Sequence, residues 1–180
     1  MKKNLDYTQL IADCQNGSSR AQQLLFKTFY GMIFKVCMRY AKSYEEAQDM
    51  LSESFLKIFT HLDQYKTTGS FESWITTLST HAAIDYLRKY SPKWEAVNMD
   101  DVNEANELTS VENGALARLS SQDLMQLIQQ LPQQSRTVFN LFVFEGYSHA
   151  EIAKILNIKE GTSFWHLNFA RKELKKKIKN

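Results

Sequence analysis

Apolar residues in this chain recur at intervals of three and four over long stretches, and that pattern confines it to a helical fold. Between residues 19 and 41 the run is Leu24, Leu25, Phe29, Ile33, Val36, Cys37 and Tyr40. Met50, Leu51, Phe55, Ile58, Phe59 and Leu62 repeat the pattern, and Phe71, Trp74, Ile75, Leu78, Ala82 and Leu87 repeat it again. Only six glycines and two prolines occur in 180 residues, too few for an all-β or loop-rich protein. The expected fold class is all-α.

Local signals divide the pattern into elements. Helices are expected over 5–16, 19–41, 43–62, 71–90, 119–130, 132–145, 148–156 and 160–177. Ser43-Tyr-Glu-Glu46 and Ser148-His-Ala-Glu151 are capping boxes, in which the serine accepts from a free amide and the glutamate reaches back. Pro92 stops one helix and Gly146 ends another. Residues 91–118 keep no helical period and are acidic, so they read as a flexible linker or as a loop packed on one domain. The organisation expected is therefore two small helical domains, 1–90 and 119–180, joined by the acidic linker 91–118.

Charge is unevenly spread. Glu95 to Glu112 holds six acids and no base, and Arg171 to Lys179 holds six bases and one acid, Glu173. A basic tail suits a polyanion partner, or else a solubilising helix end. No run approaches the roughly 20 apolar residues of a membrane span, and the N-terminus lacks the apolar stretch of a signal peptide. Cys14 and Cys37 have no metal-ligand spacing, and a disulfide is not expected. A reducing, cytoplasmic setting fits.

The stretch SHAEIAKILNIKEGTSFWHLNFARKEL, 148–174, has the grammar of a helix-turn-helix. A short capped helix turns Ile152, Ala153 and Leu156 inward. Asn157 sits where a left-handed cap is needed, with Ile158 tucked under, and a longer helix starts at Glu160. In such a motif the N-terminal half of the second helix enters the major groove. The residues expected to face outward are Thr162, Ser163 and His166, with Phe164 and Trp165 as further candidates. Arg171, Lys172 and Lys175 would meet phosphates, which position rather than specify. The competing reading is an ordinary helical hairpin.

Two blocks carry a family resemblance. Residues 45–90, EEAQDMLSESFLKIFTHLDQYKTTGSFESWITTLSTHAAIDYLRKY, resemble region 2 of the sigma-70 family. Residues 127–174, LIQQLPQQSRTVFNLFVFEGYSHAEIAKILNIKEGTSFWHLNFARKEL, resemble its region 4. The order of the blocks and the variable linker between them resemble the extracytoplasmic-function sigma factors.

The resemblance implies a sigma factor that binds core RNA polymerase and directs promoter-specific initiation. Asp49, Glu53 and exposed apolar neighbours such as Met50 would meet the polymerase clamp helices, because an acidic-apolar face suits a partner helix bearing arginines. Phe55, Ile58 and Phe59 read instead as core. Thr80, His81, Arg88 and Lys89 would lie near the melted −10 element, where unstacked bases must be held. His81 stands where the family commonly has asparagine, so base preference does not carry over. Phe71 and Trp74 read as core rather than melting wedges, and Asp85 as the partner of a nearby base. Thr162, Ser163, Phe164, His166, Arg171 and Lys172 would face the −35 duplex. Phe164 and Trp165 depart from the polar or basic groups expected there: they touch thymine methyls or sugars, or one turns inward or covers a partner's surface. An anti-sigma protein is an implied partner, and no stable homo-oligomer is expected.

The alternatives are an autonomous helix-turn-helix regulator, which would bind duplex unaided, and an enzyme. The second lacks any H-E-x-x-H, G-x-S-x-G or phosphate-cradling glycine loop, and His61, His81, His149 and His166 are scattered. No catalytic residue, metal or cofactor is expected, and His149, within a capping box, is expected to be exposed.

Overall fold

The computed structural model describes residues 7–66, 69–91 and 121–179. Apart from Ser91, the expected acidic linker lies outside the described residues. The chain divides into two compact units, Met1–Ser91 and Pro92–Asn180.

In the N-terminal unit, α1 (Thr8–Gln15), α2 (Ser19–Tyr40), α3 (Tyr44–Thr60) and α4 (Phe71–Tyr90) are joined by short turns, with a one-turn 3-10 helix at Leu62–Gln64. Serine caps open three of the four. Ser18, Ser43 and Ser70 hydroxyls accept from the amides of Ala21, Glu46 and Ser73. At Ser43 the expected box is shifted by one residue: the Glu46 carboxylate accepts from the Lys42 amide.

α2 buries Ala21, Leu25, Phe29, Ile33, Val36, Cys37 and Tyr40, one side of a helix at steps of three and four. That stripe packs on α3 and α4, which also pack on each other. Small residues on the buried faces of α3 and α4, among them Ala47, Ser54, Ser79, Ala82 and Ala83, leave room for close approach. Burial of the two serines costs little, because Ser54 donates to the Met50 carbonyl (2.7 Å) and Ser79 to that of Ile75 (2.8 Å). Phe71 is buried as expected, and Trp74 stacks on it at 5.7 Å while remaining partly exposed.

The C-terminal unit contains α5 (Ser121–Gln129), α6 (Gln133–Val143), α7 (His149–Leu156) and α8 (Glu160–Lys179). Its apolar core includes Ile128, Leu131, Val138, Leu141, Ile152, Leu156, Leu167, Ala170 and Leu174. The fully buried Arg136 donates through Nη1 to the Gln129 carbonyl (2.8 Å), placing a cation at the C-terminal end of α5.

The second capping box is complete. Ser148 Oγ accepts from the Glu151 amide (3.3 Å), and the Glu151 carboxylate accepts from the Ser148 amide (2.8 Å). Ser148→Ala should lower the stability of this unit by about 1 kcal/mol in urea denaturation, the usual worth of such a cap. An unchanged midpoint would show that α7 is held by packing alone.

Candidate polymerase and nucleic-acid interfaces

α7 and α8 form a helix-turn-helix. Asn157 takes the left-handed conformation (φ 54°, ψ 48°) that ends α7, and the Ile158 amide donates to the Ala153 carbonyl (3.0 Å). Ser163, His166, Leu167, Ala170 and Leu174 are buried on α8, which fixes its phase. On this helical phase the opposite side carries Gly161, Phe164, Trp165, Asn168 and Lys172. Phe164 is 49% exposed. Trp165, partly exposed, stacks on Phe169 at 5.3 Å.

The buried side of α8 is polar in two places. His166 Nδ1 is hydrogen bonded to Ser135 Oγ on α6 (2.9 Å), and His149 Nδ1 on α7 to Ser163 Oγ (2.8 Å). Burial pushes the His166 imidazole down to about 4. His149 is also lowered, by burial first and then by Arg171, against the opposing pull of Glu160.

On the N-terminal unit, the exposed edge of α3 carries Asp49, Ser52, Glu53, Leu56 and Thr60. Leu56 is 61% exposed. Asp49 accepts from the Tyr86 hydroxyl on α4 (3.2 Å), and burial together with this carboxylate pushes the phenol up to about 12. A groove between the helices is lined by Glu53, Leu56, Lys57, Tyr86, Lys89 and Tyr90, among others. Asp85 meets Lys57 at 2.7 Å and Arg88 at 3.5 Å, the pairing with a nearby base expected for it. Lys89 sits over the Tyr90 ring at 4.8 Å. His81 is half-buried and its Nε2 has no hydrogen-bond partner among the described residues. Burial, and then Lys57, lower its pKa.

The family model for sigma-70 region 2 matches residues 25–92, and that for sigma-70 region 4 matches residues 121–174. The chain belongs to the sigma-70 family. It is similar to the RNA polymerase sigma-H factor of Pseudomonas aeruginosa, at 28% identity over 94% of this chain and 92% of the relative. It is also similar to the ECF RNA polymerase sigma factor SigW of Bacillus subtilis, at 24% identity over 94% and 95%. Among solved structures, the sigma factor RpoE of Bartonella quintana, in complex with the anti-sigma factor NepR, has the same fold. Its TM-score is 0.53 at 16% identity, covering 87% of this chain and 96% of that one. The protein is an extracytoplasmic-function RNA polymerase sigma factor, which binds core polymerase and directs promoter-specific transcription initiation. No helix among the described residues is long and apolar enough to cross a membrane.

For this sigma factor, several expected surface residues turn out to be core. Met50 is fully buried, because it shares the inward stripe of Ala47, Leu51, Ser54 and Phe55; the exposed apolar neighbour of Asp49 and Glu53 is Leu56. Thr80 is fully buried beside Ser79, Ala83 and Ile84. Ser163 and His166 lie one turn before Leu167 and Ala170 on the inward stripe of α8. His149 is buried rather than exposed, because its ring fits between Phe142 and Phe164. The structure leaves Asp49, Glu53, Arg88, Lys89, Phe164 and Lys172 exposed, and His81, Thr162 and Arg171 partly so. Helical phase also places Leu56 on the exposed edge of α3 and Asn168 on the outer side of α8.

Proposed function

We propose that the two units divide promoter recognition between them. The unit spanning 1–90 holds the polymerase clamp through Asp49, Glu53 and Leu56. His81, Arg88 and Lys89 on α4 serve the melted −10 strand. The unit spanning 119–180 reads the −35 duplex with Thr162, Phe164 and Trp165, while Arg171 and Lys172 meet phosphates. The acidic segment 91–118 tethers the two. An anti-sigma protein is the regulatory partner, a reading supported by the complex in which the Bartonella quintana relative was solved. The protein acts with polymerase in the cytoplasm and performs no bond chemistry itself.

The observation that carries the polymerase assignment is the α3 edge: two exposed carboxylates one turn apart, beside a leucine that is 61% exposed. Charged rims of this kind orient an arginine-bearing partner, and an exposed leucine supplies apolar area at its centre. The double variant Asp49→Lys, Glu53→Lys should bind core polymerase at least about tenfold more weakly, with helix content unchanged because both residues are exposed and only the surface bond from Tyr86 to Asp49 is lost. Unaltered affinity in a pull-down titration would remove α3 from the polymerase interface.

A further inference from the structure

The aromatic residue at the outer face of the recognition helix is not loose. Phe164 stacks on the His149 ring, with centroids 3.7 Å apart and planes at 27°. The other face of His149 lies against Phe142 at 4.7 Å and 28°. The Arg171 guanidinium lies over the Phe142 ring at 5.6 Å. His149 is further fixed in its plane by the 2.8 Å hydrogen bond to Ser163, the residue before Phe164. A column of four side chains, drawn from α6, α7 and both halves of α8, therefore ends at Phe164, which is 49% exposed.

Three properties follow from this arrangement. A phenyl ring has no donor or acceptor, so it reads no guanine or cytosine edge by hydrogen bonding. The apolar feature that base pairs offer in the major groove is the C5 methyl of thymine. A ring already held by stacking loses less freedom on binding, so its contact is worth more in the complex.

We propose that Phe164 reads a thymine methyl group in the −35 duplex and that His149 is the positioning residue that holds it for this contact. The proposal rests on reading the C-terminal unit as the −35 binder. His149 touches no base. It presents Phe164, and the Ser163 bond helps hold its ring in the stack with both neighbours.

Deoxyuridine, which differs from thymidine by that one methyl, isolates the contact. Holoenzyme made from this chain and core polymerase would first select promoters from a library randomised across the −35 region. Each selected thymine would then be replaced by deoxyuridine and the affinity measured. At one position the replacement should weaken binding by wild-type holoenzyme about fourfold, the worth of one buried methyl group. The same replacement should have no effect on Phe164→Ala and less than a twofold effect on His149→Ala. His149→Phe, which keeps the stack and loses only the Ser163 bond, should restore methyl sensitivity; it also guards against a fold defect in the alanine variant. A purely structural His149 would weaken binding to thymine and deoxyuridine duplexes equally, and that result overturns the proposal. So does a selected −35 element without a methyl-sensitive thymine, or full methyl sensitivity in Phe164→Ala. Failure of the holoenzyme to select any promoter would overturn the −35 reading itself, and the proposal with it.

Discussion

Ile33→Ala should destabilise the N-terminal unit by about 2–5 kcal/mol, the range for emptying a large aliphatic side chain from a packed interior. Ile33 is fully buried midway along the stripe by which α2 packs on both α3 and α4. The cost combines lost transfer free energy with a cavity that three packed helices fill only in part. A unit of this size has a total stability of about 5–15 kcal/mol, so one such cavity removes a large share of it. Leu24 provides the contrast: on the same helix but 55% exposed, its alanine variant should stay within about 0.5 kcal/mol of the wild type. Urea denaturation followed by circular dichroism compares the two. Equal losses would mean that the buried stripe is not what holds the three helices together.

Acid should destabilise the C-terminal unit by about 3 kcal/mol through His166 alone. Burial lowers the folded pKa of this residue to about 4, against an ordinary value near 6.5. Between those values the unfolded chain binds a proton that the folded unit does not, so stability rises with pH. The contribution is complete above about pH 6.5 and is lost as pH falls through 6.5 towards 4. The Ser135 hydroxyl partner survives protonation, since a hydroxyl both donates and accepts; the penalty is the desolvation of a charged ring. His149, also lowered, adds to the loss in the same direction. Denaturation midpoints at pH 7 and 4.5 should therefore converge in part when His166 is replaced by asparagine. An undiminished pH dependence in that variant would place the acid-sensitive group elsewhere.

The helical elements were legible because each carries its own period, and their observed ends fall within a few residues of the expected ones. The helix-turn-helix was legible for the same reason, with Asn157 and the Ser148 capping box marking its joints. Site residues were less legible, because side-chain polarity does not report helical phase. Ser163 and His166 look like surface residues by type, yet Leu167, Ala170 and Leu174 already define the inward side of α8, and both residues lie on it. Met50 is the converse case on α3: its apolar neighbours turn it inward and leave Leu56 outside. The partners that make the buried polar groups tolerable were not legible. Ser135 meets His166 across 31 residues, and Phe142 meets His149 only once α6 and α7 pack. Such pairings are properties of tertiary contact and leave no periodic trace.

The most direct test of the sigma-factor role is transcription in vitro from a promoter library, with core polymerase and with or without this chain. A sigma-factor role predicts that core polymerase alone starts no specific transcript. The added chain should give transcripts whose promoters share two conserved elements at a fixed spacing, and selectivity should vanish when the chain is tested on duplex without polymerase. Tight, sequence-selective binding by the free chain, or failure to associate with core polymerase in mild salt, would contradict it.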